Sequence, residues 1–264
     1  MPFVTFEDAR VSYKIDGNGP PLILVHGTGG NAETNWGALV ERFARHWTVI
    51  RPDYSGSGAT TDGGGALSAE GVAGQILAVA DAAGAERFHL MGFSLGAAIA
   101  ARIAGEFPDR VDSLVLLAGF QSAADSRSRL QFGLWRHLIA TDREAMARLA
   151  VMTGFSPDAL AAWPEDALAE AVAETLSGTD WPGMARQVDL DLSIDVSDSV
   201  RRIAAPTLVV GCTHDQMVPI AHSRALAGAI AGARYAELPT GHLAPMERPD
   251  GLADLVEDFL LRQP

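Results

Sequence analysis

The sequence predicts an α/β protein: a mostly parallel, doubly wound sheet carrying a helical insertion ahead of its last two strands. Three observations predict it. Continuous apolar runs at 21–25, 87–93, 111–118 and 206–211 have the length and composition of strands buried on both faces. Segments of helical spacing at 36–45, 68–83 and 95–107 alternate with them, the order that builds a parallel sheet through crossover helices. Finally, Gly92-Phe93-Ser94-Leu95-Gly96 joins a buried strand directly to an Ala-rich helix, a sharp strand-turn-helix junction.

A chain of 264 residues suits one large domain, with 1–120 and 203–264 forming the core and 121–202 inserted as a helical lid. A hydrophobic fraction of 48% is that of a soluble globular protein, and no apolar run approaches the roughly 20 residues of a membrane span. The net charge of −13 disfavours nucleic acid or an anionic membrane as partner. Cys212 is the only cysteine, which removes an internal disulfide framework, and the first residues lack a basic stretch followed by an apolar one. The expectation is a cytoplasmic protein, with its oligomeric state left open.

In chain order, 3–6 and 10–15 alternate and end at Asp16-Gly17-Asn18-Gly19-Pro20, reading as an antiparallel hairpin at a sheet edge. The buried run 21–25 opens into His26-Gly27-Thr28-Gly29-Gly30, whose glycines let backbone N–H groups converge. His26 itself reads as a residue that fixes backbone. The strand 47–51 should end at Pro52, and the Gly-rich stretch 53–65 lacks both the lysine of a P-loop and the third glycine of a dinucleotide fingerprint, so it reads as a loop. From 121 to 202 the strand signal disappears. Helical segments at 127–139, 143–151 and 165–176 are punctuated by Pro157, Pro164 and Pro182, and Phe132, Trp135, Met152, Phe155, Trp163 and Trp181 could line an apolar pocket there. Phe120, Trp135 and Trp163 are the candidate substrate contacts. The strand 206–211 leads into a turn carrying Asp215, and the strand 233–238 leads to His242.

A serine nucleophile needs a base within hydrogen-bond reach, and that base needs a partner to fix its tautomer. Ser94, His242 and Asp215 supply those roles, each just beyond the C-terminal end of a predicted parallel strand, where α/β folds gather their sites. The N–H groups of Thr28 and Leu95 are the candidate oxyanion donors. His46, His89, His137 and His222 show no partner pattern and no metal-ligand spacing, and no cofactor is implied.

With these residues the chain resembles the α/β-hydrolase family, of the lidded, esterase-like kind, over nearly its whole length. The Gly-x-Ser-x-Gly serine of that family matches Ser94, the acid of its Gly-x-x-x-Asp-x-x-x-Pro turn matches Asp215, and its C-terminal Gly-His matches His242. Two positions depart from its common pattern: Ser55 stands where Asp-x-Arg-Gly-x-Gly has arginine, and Phe93 where many relatives carry His or Asn. Asp125, beyond the sixth strand, is the competing acid. The resemblance implies hydrolysis of an ester, lactone or thioester of a small, mainly apolar acid. Cofactor-free perhydrolases (haloperoxidases), hydroxynitrile lyases and ligand receptors share the scaffold and remain alternatives, whereas a serine at the elbow argues against dehalogenase or epoxide hydrolase chemistry.

Overall fold

The computed structural model describes residues 1–263. β1 (Phe3–Phe6) and β2 (Ala9–Asp16) form the expected antiparallel hairpin, and β2 runs antiparallel to β4 (Thr48–Asp53). From there β4, β3 (Pro21–Val25), β5 (Phe88–Phe93), β6 (Val111–Leu117), β7 (Thr207–Cys212) and β8 (Arg234–Leu238) lie side by side in parallel, completing an eight-stranded sheet. The chain leaves β3 for β4 on one side and returns to β5 on the other. That reversal opens a crevice at the C-terminal ends of β3 and β5, the place where α/β sheets bind ligands.

Both faces of the sheet are covered at its centre, which is why β3, β5, β6 and β7 read as apolar runs. Successive side chains point to opposite faces, so Ile23, Val25, Leu90 and Leu116 pack with α2 (Ala69–Ala82) and α3 (Leu95–Glu106), while Leu22, Leu24, Met91 and Leu117 pack with α1 (Gly37–Phe43) and the C-terminal α12 (Pro249–Leu260). Buried Ala97, Ala98, Ala100 and Ala101 let α3 lie close on the sheet. Ser68 caps α2 by accepting the N–H of Gly71. β4 runs on through Pro52 to Asp53, two residues beyond its expected end. The pairing with β3 ends at Ile50, so proline's missing N–H removes no bond from that parallel ladder.

Between β6 and β7 the chain is helical, as expected: α4 (Ser126–Thr141), α5 (Arg143–Gly154), α6 (Pro157–Ala161), α7 (Glu165–Gly178), α8 (Trp181–Ser193) and α9 (Ser197–Arg201). Helix α8 was not anticipated, because Pro182 reads as a break. It sits instead in the first turn, where a helix N–H has no intrahelical acceptor and proline loses nothing, and Asp180 caps the helix at the N–H of Gly183. Helix α10 (Ile220–Ala229) follows β7, and the short α11 (Ala244–Glu247) follows β8.

Candidate active site

Ser94 sits between β5 and α3 at φ 56° and ψ −120°, a conformation costing a non-glycine residue about 1–3 kcal/mol. The flanking glycines make that turn possible. A Cβ on Gly92 would lie 2.2 Å from the carbonyl oxygen of Gly96, and one on Gly96 would lie 2.2 Å from that of Val25. The turn is anchored where the N–H of Ser94 donates to Leu117 O at 3.0 Å. Because α3 begins at Leu95, the N–H of Leu95 belongs to the helix's first turn and has no acceptor among the described residues.

Asp215 follows β7 and His242 follows β8, both buried. His242 Nδ1 lies 2.7 Å from Asp215 Oδ2, while Asp215 Oδ1 accepts the N–H groups of Met217 at 2.8 Å and Val218 at 2.7 Å. A carboxylate only accepts, so Nδ1 carries the proton and Nε2 keeps a free lone pair, the tautomer a general base requires. The His242 loop is held from outside its own strand. Glu247 accepts the N–H of Gly241 and both the N–H and hydroxyl of Ser156, and the N–H of Leu243 donates to Gly154 O at 2.8 Å. The segment between α5 and α6 therefore clamps the loop that carries the imidazole.

The loop after β3 is fixed atom by atom. The N–H of Gly27 donates to Asn35 Oδ1, that of Gly29 to Gln187 Oε1 and that of Gly30 to Gly27 O, leaving Thr28 as the one residue of 27–30 whose N–H meets no acceptor among the described residues. His26 explains how that N–H is aimed. Its Nδ1–H donates to Gly27 O at 2.9 Å, and in a trans peptide the N–H of Thr28 points away from that same carbonyl. The imidazole stacks on Tyr54 with centroids 4.0 Å apart, and full burial lowers its pKa, so it is a neutral backbone support.

Helix α8 closes on this loop through a stripe of Met184, Gln187 and Asp191, spaced to share one helix face. Gln187, fully buried, holds Gly29 with its oxygen and donates through Nε2 to Ser57 Oγ and the carbonyls of Ser55 and Gly56. Thr28 Oγ1 donates to Asp191 Oδ2 at 2.7 Å. Burial pushes the Asp191 carboxyl up to about 8, against the opposing pull of the Thr28 hydroxyl. Close packing of α8 depends on two glycines, since a Cβ on Gly183 would lie 2.2 Å from Gly56 O. None of this contact between distant segments carries a local sequence signal. Ser55 likewise takes its meaning from the fold: its N–H and hydroxyl pair with the amide of Gln75, and its carbonyl accepts from Gln187.

Ser94, His242 and Thr28 open into one cavity of about 370 Å³, walled by Trp135, Met146, Val151, Trp163, Trp181, Met184, Met217 and Leu243 among others. Two of the three expected substrate contacts, Trp135 and Trp163, are in that wall, as are Phe155 and Trp181. Phe120 is not. It packs on Phe132 with ring centroids 5.9 Å apart, and Phe132 in turn meets Trp135 edge-on, so Phe120 supports the wall from behind. Met152 points to solvent, 55% exposed. Asp125 caps α4 by accepting the N–H and hydroxyl of Ser128 and faces His222 at 3.7 Å, a helix-capping environment. Among the described residues no group of three or more His, Cys, Asp or Glu stands where it could hold a metal ion, and no helix is long and apolar enough to cross a membrane.

A parallel sheet with a strained serine at its central strand-to-helix turn, an acid and a histidine at the ends of later strands, and N–H groups at Thr28 and Leu95 left without acceptors among the described residues matches the α/β-hydrolase class. The family profile described as alpha/beta hydrolase fold matches residues 20–249, and the chain belongs to that family and is a hydrolase. Over 263 residues the chain is 51% identical to the pyrrolizixenacetamide deacetylase of Xenorhabdus hominickii, covering 100% of this chain and 99% of the relative. It superposes on the enol-lactonase from Burkholderia xenovorans LB400 with a TM-score of 0.90 at 27% identity, covering 99% of this chain and 100% of that one. A hydrolase from Pseudomonas aeruginosa PA01 superposes with a TM-score of 0.86 at 27% identity, covering 98% and 97%.

Proposed function

We propose that this hydrolase removes a small acyl group from a neutral, mainly apolar amide or ester through an acyl-Ser94 intermediate. The observation that carries this reading is the cavity at Ser94: its wall is mainly apolar and aromatic, Glu174 is the acidic residue in it, and neither Lys nor Arg is among its lining residues. A substrate carboxylate would enter it without a counter-ion, and burying an unpaired charge is costly. The deacetylase relative, named for action on an acetamide, extends the expected scissile bond from esters, lactones and thioesters to amides.

In this mechanism Ser94 Oγ attacks the carbonyl carbon while His242 Nε2 takes its proton, and the imidazolium is stabilised through Nδ1–H by Asp215. The N–H groups of Thr28 and Leu95 hold the oxyanion. The carbon–nitrogen or carbon–oxygen bond then breaks as His242 returns the proton to the leaving group. Water, deprotonated by the same imidazole, frees the acid and regenerates Ser94. The helices between β6 and β7 act as the lid of the site, contributing Trp135, Trp163 and Trp181 to the pocket, so that 121–202 is a cap on a core of 1–120 and 203–264.

The test is hydrolysis of p-nitrophenyl esters from acetate to decanoate and of an N-aryl acetamide, comparing the parent with Ser94→Ala. Turnover by the parent on short neutral acyl groups and its loss in the variant is the expected result. Equal turnover by both proteins, or a preference for substrates bearing a carboxylate on the acyl chain, would overturn the reading.

A further inference from the structure

Asp191 is buried to 1% exposure beneath the candidate oxyanion loop, and no role in the reaction above explains it. One carboxyl oxygen accepts the Thr28 hydroxyl at 2.7 Å, and the other, Oδ1, has no partner among the described residues. Among the described residues no salt bridge includes it. The groups around it offer no cation. On the loop after β4, the Tyr54 hydroxyl donates to His26 O; on the loop after β3 stands the neutral His26; on α8 itself, Asp189 and Arg186 pair outward with Arg136 and Asp62. The remaining ionisable residues of α4, the helix packed on α8, are Arg127, Arg129 and His137, all exposed. A polar side chain half-satisfied in such a place destabilises the fold, and a leucine there would pack without that cost.

We propose that Asp191 is a positioning residue for the oxyanion hole: by holding the Thr28 side chain, its carboxyl fixes the Thr28 N–H on the reacting carbonyl. The proposal rests on the acyl-Ser94 reading. Its physical logic is that three contacts lock the Thr28 peptide from different sides. His26 holds the carbonyl in the same peptide plane, Gln187 holds the N–H of Gly29, and Asp191 holds the Thr28 hydroxyl one helical turn beyond Gln187. The carboxyl does this in its neutral form, because burial favours that form at pH 7. Ionisation would set a negative charge beside the loop that must receive a second one, in surroundings that screen it poorly.

The experiment compares kcat, KM and the pH profile of the parent with Asp191→Leu, Asp191→Asn, Thr28→Val and Ser94→Ala on the best ester or amide. Asp191→Leu is expected to lower kcat about 10- to 100-fold with KM within about twofold, because an oxyanion forms only after binding, and loss of a whole donor costs about 10²–10³. Thr28→Val should match it, and the double variant should be no worse than either single one. Asp191→Asn keeps an acceptor for Thr28 and should recover kcat to within about threefold of the parent, while abolishing a fall in rate that the parent shows above about pH 8. An unchanged kcat in Asp191→Leu, a change confined to KM, or a loss in Asp191→Asn as deep as in the leucine variant would overturn the proposal. If the leucine variant does not fold, Thr28→Val carries the same comparison. Residual turnover in Ser94→Ala would instead bring down the acyl-enzyme reading beneath it.

Discussion

The most discriminating thermodynamic consequence of the structure concerns Asp191 and pH. The sign follows from proton binding. A carboxyl that titrates near 3.8 in the unfolded chain and at about 8 in the fold binds more protons when folded across the whole interval between those values. Stability must therefore fall as pH rises through that interval and level off above it. Each pH unit inside the window costs about 1.4 kcal/mol, so raising the pH from 5 to 7 should cost about 2.7 kcal/mol from this group alone. Against a total stability of roughly 5–15 kcal/mol, that is a large fraction. Two buried histidines work the other way: burial lowers the pKa of His26 and His89, so each adds stability as pH rises toward the ordinary histidine value. Comparing the parent with Asp191→Asn cancels them, because asparagine removes one titration and leaves the rest of the chain in place. Urea unfolding of both proteins at pH 5, 6, 7 and 8 is the assay. The difference in unfolding free energy should shift in favour of the variant by about 2–3 kcal/mol between pH 5 and 7. A difference that does not change with pH would refute the argument, since it would mean that Asp191 is ionised in the fold or solvated there.

Other consequences are as direct. Gly96→Ala forces a Cβ to 2.2 Å from Val25 O, so the variant should lose several kcal/mol and either fail to accumulate as soluble protein or melt at least about 10 °C below the parent; thermal unfolding by circular dichroism checks this. Asp215→Asn turns a hydrogen-bond acceptor into a donor opposite His242 Nδ1 and favours the wrong imidazole tautomer. Stopped-assay kinetics should show kcat lower by about 10³–10⁴ with little change in KM. Burial pushes the Cys212 thiol up to about 12, so an aromatic disulfide reagent at pH 8 should leave the native protein unlabelled and react with one thiol after denaturation.

Much of the fold was legible from local pattern. The buried strands announced themselves as apolar runs because a parallel sheet is covered on both faces, and the Gly-x-Ser-x-Gly junction announced its turn because the backbone there tolerates no side chain at Gly92 or Gly96. Ser94, Asp215 and His242 could be placed at strand ends from order alone. Their approach to one another could not, since Ser94 and Asp215 lie 121 positions apart and only the sheet order brings their strand ends together. Two positions show the same limit. Pro182 breaks a helix in its interior but starts one in its first turn, and Phe120 looks like a pocket residue until packing turns it onto Phe132.

The sequence by itself determined the class of the protein and singled out the candidate reactive side chains and the candidate loop of backbone N–H groups, because strand burial, steric exclusion at a tight turn and the chemistry of a nucleophile act over a few residues. Tertiary structure decided the rest of the site. The clamp of α8 on the loop of Thr28, the close approach of Gly183 to Gly56 and the hold of Glu247 on the His242 loop join segments far apart in the chain. Buried Asp191, an unremarkable acidic residue in the linear sequence, acquires its altered titration only because packing removes water from it without supplying a counter-ion.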